Sequence, residues 1–150
     1  MTTMTVQKAV DYFEQGYSCS QSIALAFLGD IINTETILRF LSAFGGGMGR
    51  TGQTCGAISG GMAVLGFYLG QTSPQETEKK EALYSVCQNW MAEFQKAFDQ
   101  TTCNGLLGFD IGNPSQRLIA KEQGVFSERC PSIVRKSAEV TGAILDLARK

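Results

Sequence analysis

Val6, Ala9, Val10 and Phe13 recur at helical spacing near the start of the chain, and Gly16 stands where a left-handed cap would end that helix. Ser18 can cap a second helix running from Cys19 through Ile23, Ala26 and Phe27 to Gly29 and Asp30, which puts Cys19 in a first turn. A third is expected from about Thr34, with Ile37, Leu38, Leu41 and Phe44 inward. The run Gly45-Gly46-Gly47-Met48-Gly49-Arg50-Thr51-Gly52 is too rich in glycine to hold a helix, because glycine gives up the most backbone freedom on ordering. A shaped or mobile loop is predicted there. Directly after it, residues 55–70 are apolar or small on every side, the pattern of a central buried helix. Within it Gly56, Gly60 and Gly61 lie close enough across a turn to admit a neighbouring backbone.

Ser73-Pro74-Gln75-Glu76 has the pattern of a capping box with proline at the first helical position. The long helix it would open has Leu83, Val86, Cys87, Trp90, Phe94, Ala97 and Phe98 as its inward stripe, pairs Glu76 with Lys80 outward, and ends by about Gln100. Residues 101–113, with Cys103-Asn104-Gly105 and Gly108, read as irregular, and Asn113-Pro114 starts a short helix through Leu118 and Ile119. Pro131, directly after Cys130, is expected to begin the last helix, with Val134, Ala138, Thr141, Ile144, Leu145 and Ala148 inward. No segment alternates with the period of a strand, and there is no internal repeat. The expected fold is all-α: one domain over 1–150, a bundle of about six or seven helices around a buried helix rich in Gly and Ala.

The chain has 150 residues, 43% of them hydrophobic, enough for one ordinary core. With 13 Lys and Arg against 14 Asp and Glu and no long run of one sign, it lacks the electrostatic footprint of a nucleic-acid binder. A small-molecule or protein partner is expected instead. The uncharged stretch 51–72 reaches membrane-span length but is loaded with Gly, Ser, Gln and Thr, so membrane insertion is not expected. The stretch from Met1 to Lys8 lacks the pattern of a secretory signal, and a cytoplasmic location is expected.

Five cysteines and no histidine focus the chemistry. The odd cysteine count in a reducing compartment argues against a static disulfide framework. The absence of histidine removes the commonest general base and every Cys-His nucleophile pair. Asp11, Glu14, Asp99, Asp110 and Glu128 are scattered, as solvated surface carboxylates usually are. Cys19, Cys55 and Cys130 all fall at predicted helix starts, where unpaired N–H groups and the positive end of the helix dipole favour thiolate over thiol. At Cys55 the preceding glycines and the charge of Arg50 strengthen that expectation. A nest built from Gly46, Gly47, Gly49, Arg50 and Gly56 could hold a thiolate, a cofactor phosphate or a substrate carboxylate. A phosphate loop is not indicated, since Lys-Ser/Thr is missing after the glycines and no strand precedes them.

The string Cys55-Gly56-Ala57-Ile58-Ser59-Gly60, with one cysteine upstream at Cys19 and two downstream at Cys103 and Cys130, resembles the C_GCAxxG_C_C family of redox-active proteins. The resemblance spans nearly the whole chain. It implies a helical fold and maps the family's four cysteines onto Cys19, Cys55, Cys103 and Cys130. Cys87 lies outside the pattern and, between Leu83 and Trp90, reads as core filling. Related split-Soret cytochromes carry haem, but this chain has no Cys-x-x-Cys-His and no histidine, so c-type haem is not expected.

The four cysteines are separated by 36, 48 and 27 residues, unlike the close pairs of zinc sites and of thioredoxin. Three readings stand. Cys55 is a thiolate that cycles to a disulfide with one of the other three, using a small-molecule or protein redox partner. Alternatively, Cys19, Cys55, Cys103 and Cys130 converge on a metal ion or iron–sulfur cluster. In the third, a helical binding or transport-accessory protein holds a ligand at the glycine loop and its thiols are incidental. Whether the small-residue helix packs within one protomer or across a homodimer is open at this stage.

Overall fold

Eight helices joined by short turns make up the described residues of the chain in a computed structural model that describes residues 2–148. They are α1 (Thr2–Glu14), α2 (Cys19–Leu28), α3 (Thr34–Leu41), α4 (Gly56–Leu69), α5 (Thr77–Phe98), α6 (Cys103–Leu107), α7 (Pro114–Glu122) and α8 (Val125–Ala148). The fold is all-α, and among the described residues no helix is long and apolar enough to cross a membrane. The element the sequence does not announce is α6, a single turn whose N-cap Thr102 accepts the Gly105 N–H at 2.9 Å.

The core is organised around α4, which packs on α2, α5 and α8, while α1 lies across α2 and α8. Ile23, Val64, Leu65, Trp90, Phe94 and Val134 are almost fully buried in the main apolar cluster. A smaller cluster of Leu107, Ile111, Ala120, Val125 and Cys130 fills the space beneath α6 and α7. Close packing along α4 depends on its glycines. A Cβ on Gly60 would stand 2.9 Å from the Ser20 carbonyl oxygen, and one on Gly61 would stand 2.8 Å from the Trp90 ring. The Trp90 indole donates to the buried Thr141 hydroxyl at 2.9 Å, so its polar atom is satisfied inside the core.

Four sequence expectations are corrected. The proline in α8 does not start that helix: Pro131 lies inside it, six positions after Val125, removing one backbone donor without ending it. Cys130 therefore sits in a helix interior and not at a positive dipole end. The helix expected from Ser73 begins at Thr77, because Ser73-Pro74-Gln75 forms a turn and Glu76 reaches back to accept from the Thr72 N–H at 3.1 Å. Glu76 then pairs with Lys79 at 3.6 Å, while Lys80 lies over the Tyr84 ring. The inward stripes are shorter than expected, since Ala97 and Ala148 are exposed at the helix ends. Finally, α4 is not buried all round. Its Ser59, Met62, Ala63 and Phe67 face an open apolar groove of about 750 Å³, bordered across from them by α3.

Candidate functional site

Cys19, Cys55, Cys103 and Cys130 lie along the seam between the two apolar clusters. Cys55 belongs to the larger cluster and Cys130 to the smaller, with Cys19 packed on the first and Cys103 on the second. Each arrives by its own local device. Ser18 caps α2 through a reciprocal box: its hydroxyl accepts the Gln21 N–H at 3.3 Å, and the Gln21 side chain accepts the Ser18 N–H at 3.2 Å. Cys19 is consequently the first residue of α2. Ser20 then donates to the Leu41 carbonyl at 3.0 Å and Gln21 to the Leu38 carbonyl at 3.1 Å, tying the start of α2 to α3.

Cys55 is the N-cap of α4, and Cys103 opens α6. An antiparallel bridge between Thr54 and Thr102 holds them together. The Cys55 N–H donates to the Thr101 carbonyl at 2.9 Å and the Cys103 N–H to the Gln53 carbonyl at 2.7 Å. With Thr54 opposite Thr102, residues 55 and 103 fall on the other, shared side of this two-stranded clasp. Cys130 comes from the second turn of α8, and α8 is bound to the first turn of α4 where the buried Ser137 hydroxyl donates to the Ala57 carbonyl at 2.7 Å.

The glycine loop packs closely on its neighbours. Gly46, Gly47, Gly49 and Gly52 all adopt left-handed φ, between 61° and 75°, which accounts for the glycine density of a helical-type turn that does not propagate. The N–H groups of Arg50, Gly52 and Gln53 bond to the carbonyls of Gly45, Gly46 and Gly47 within the loop. A Cβ on Gly47 would stand 2.8 Å from the Cys103 Cβ, and one on Gly56 would stand 3.2 Å from the Cys19 Cβ. Of the residues expected to form a ligand nest, Gly47 and Gly56 thus make room for sulfur-bearing side chains, and Arg50 is exposed with its own backbone left-handed.

The electrostatics single out Cys19 and its two neighbours. Hydrogen bonds to Cys130 and Cys55, reinforced by burial, hold the Cys19 thiol well above the ordinary value of 9.0. Cys55 is lowered, first by the bond from Cys19 and then, against the penalty of burial, by the backbone N–H groups of Ala57 and Ile58. Cys130 is also lowered by Cys19, but burial and the Cys55 charge oppose it. One S–H proton cannot serve two acceptors at once. Cys55, with two backbone donors of its own, is the favoured thiolate. Its stabilisation comes from Cys19 and the α4 amides, in place of the Arg50 charge the sequence suggests. Burial and the charges of Cys55 and Cys130 push Cys103 up to about 12, which keeps it a thiol. Cys87, on α5, is raised by burial alone and packs against the main cluster. Among the described residues no group of three or more Cys, His, Asp or Glu side chains is arranged to hold a metal ion.

Sequence reasoning missed the clasp of Gln53, Thr54, Thr101 and Thr102, and the Ser137 tie. The four residues of the clasp leave no periodic trace, and a serine in a helical stripe looks like any small core residue.

A family model described as "Putative redox-active protein (C_GCAxxG_C_C)" matches residues 17–144. The chain belongs to this family. A protein of Archaeoglobus fulgidus described as uncharacterised is 24% identical over 143 residues, spanning 90% of this chain and 89% of its own. No solved structure matches the chain. In this C_GCAxxG_C_C protein the four cysteines that the resemblance assigns to the pattern lie along the seam of the two apolar clusters, and Cys87, on α5, packs against the larger one.

Proposed function

We propose that the protein is a thiol–disulfide redox protein in which Cys55 and Cys19 cycle between dithiol and disulfide. The observation that carries this reading is the close packing of the two helix starts that bear Cys19 and Cys55: a Cβ on Gly56, the residue after Cys55, would stand 3.2 Å from the Cys19 Cβ. Cysteines borne on helix starts in such contact are placed for disulfide closure, and the lowered Cys55 thiol supplies the nucleophile. In the reductive direction the Cys55 thiolate attacks one sulfur of a partner disulfide, whose S–S bond breaks. The departing partner sulfur leaves as a thiolate and takes up a proton from solvent. Cys19, after losing its own proton, attacks the Cys55 sulfur of the mixed disulfide and releases the second partner thiol. Two electrons pass from the cysteine pair to the partner, and one disulfide is exchanged for another. Cys19 and Cys103 are the partly exposed members of the group and mark the side from which a small-molecule or protein disulfide approaches.

The metal or cluster reading draws no support from the arrangement of the side chains, and the accessory-protein reading leaves the matched pattern of raised and lowered thiols without a role. Equilibration in graded thiol–disulfide buffers, followed by alkylation and peptide mass mapping, tests the proposal. Two thiols are expected to disappear together, with Cys19 and Cys55 in the linked peptide. A Cys55 that stays fully reduced across the range, in protein that remains helical by circular dichroism, overturns it.

A further inference from the structure

The open groove beside α4 takes no part in the thiol chemistry above. It follows α4 from Ile58 and Ser59 in the first turn to Phe67 in the last, about 14 Å along the helix axis, with residues of α2 and α3 lining the rest. At one end Thr54, Ile58 and Ser59 belong to the turn that carries Cys55, whose carbonyl accepts the Ser59 hydroxyl at 3.4 Å. We infer that this groove is a binding site for an uncharged, elongated, apolar small molecule. The inference goes beyond the redox reading and does not depend on it.

The lining selects the class of ligand. A volume of about 750 Å³ falls within the roughly 300–1,000 Å³ of sites that enclose drug-sized molecules. None of the lining side chains carries a charge, and the polar ones are Thr36, Thr54 and Ser59, the last already bonded within its own helix. An ionic or strongly polar occupant would give up its water there without finding partners, whereas an uncharged apolar one loses nothing. Phe40, Met48 and Phe67, from three different parts of the fold, are the exposed large apolar side chains of the lining, at 75%, 37% and 47%. Their gathering around one concavity is the kind of exposed apolar patch that marks a binding surface.

Met48 is a second, independent sign. Gly46, Gly47 and Gly49 supply the left-handed backbone of the loop without steric cost, but Met48 stands among them at φ 69°, a conformation that a residue with a Cβ rarely adopts. Its side chain lines the groove. The loop therefore carries a long, adaptable, polarisable side chain at a position where glycine would be unstrained, and that side chain is placed to touch an apolar occupant.

The test titrates Nile red, an uncharged apolar dye, into the full-length protein and follows its emission, with decanol as competitor. Saturable binding that decanol displaces is expected. Met48→Gly suits the left-handed backbone and should weaken dye binding about fivefold without lowering the melting midpoint. Phe40→Ser alters a side chain already in water, keeps the fold, and should weaken binding as well, which decides the matter if Met48→Gly proves unstable. Leu118→Ser, at a comparably exposed site on α7 outside the groove, should leave binding unchanged. Absence of saturable binding, or equal weakening by Leu118→Ser and Phe40→Ser, overturns the inference. So does sedimentation showing a dimer that takes up dye only on dilution to the monomer, since a second copy of the chain would then be the occupant. None of these failures touches the redox reading, which the thiol mapping tests separately.

Discussion

The glycines of α4 allow a substitution to be tried twice in one helix with opposite results. Gly60→Ala would place a Cβ 2.9 Å from the Ser20 carbonyl oxygen and 3.0 Å from both the Ser20 Cα and the Ile23 Cβ. Two of these three atoms are backbone, in a helix pinned to α3 by Ser20 itself, so relief requires moving α2 as a body. Overpacking of this kind costs about 1–3 kcal/mol. Gly66→Ala, almost two turns along, meets nothing within 4 Å. Each change also gains helix propensity of about 1 kcal/mol, so that contribution cancels between the two variants and their difference isolates the contact. Gly66→Ala should be more stable than the parent by up to about 1 kcal/mol, and Gly60→Ala less stable by up to about 2 kcal/mol. For a chain of this size each kcal/mol moves the melting midpoint by roughly 2–4 °C, so thermal melts by circular dichroism resolve the pair. Because Ser20 follows Cys19, Gly60→Ala should also slow alkylation at Cys55. Equal midpoints for the two variants would refute the account of α2 and α4 as a glycine-mediated contact.

Iodoacetamide labelling against pH should find Cys55 the fastest thiol, with a midpoint below the ordinary 9.0, and Cys19→Ala should raise that midpoint by removing its donor. Each unit of upward shift lowers the thiolate fraction at neutral pH about tenfold, and faster labelling of Cys87 or Cys103 at pH 6 would contradict the assignment. Cys103 titrates higher in the folded than in the unfolded chain, so its contribution to stability is whole below 9.0 and is lost as pH rises toward about 12. Urea midpoints should fall through that window, and Cys103→Ala should flatten the fall. Thr141→Val leaves the buried Trp90 N–H without its acceptor and should cost about 1–3 kcal/mol in urea denaturation, whereas a loss near zero would mean that the indole finds another partner.

Much of this architecture is legible from spacing alone, because amphipathic periodicity and caps are local signals. Ser18 and Gln21 announce α2, Asn113-Pro114 announces α7, and the small-residue run announces α4. Proline misled twice for a shared reason. Its missing donor suits a first helical turn, yet Pro74 sits in a turn before α5, and Pro131 is carried inside α8 by burial on both sides of it. The candidate site divides along the same line. The cysteines proposed for the site follow from the family pattern, and the thiolate-favouring start at Cys55 from its place before Gly56. The identity of its stabilising neighbour does not follow, because Cys19 and Cys55 meet through packing of α2 on α4, a contact 36 residues apart in sequence that no local pattern encodes. The glycine loop has the composition of a ligand cradle, and the bonds that its Arg50, Gly52 and Gln53 amides make back to its own carbonyls leave no trace in that composition.

Trp90 is the chain's only tryptophan, fully shielded, stacked on Phe94 with ring centroids 5.2 Å apart and bound to Thr141 of α8. The molecule thus contains a single indole among its four tyrosines, and emission excited selectively at the indole's long-wavelength edge has one origin. That origin touches the helix that carries Cys130 and, through Gly61, the helix that Cys55 begins. A shift of either helix on oxidation alters the polarity and quenching around one indole, so the colour of its emission reports the state of the thiols without any label added to them.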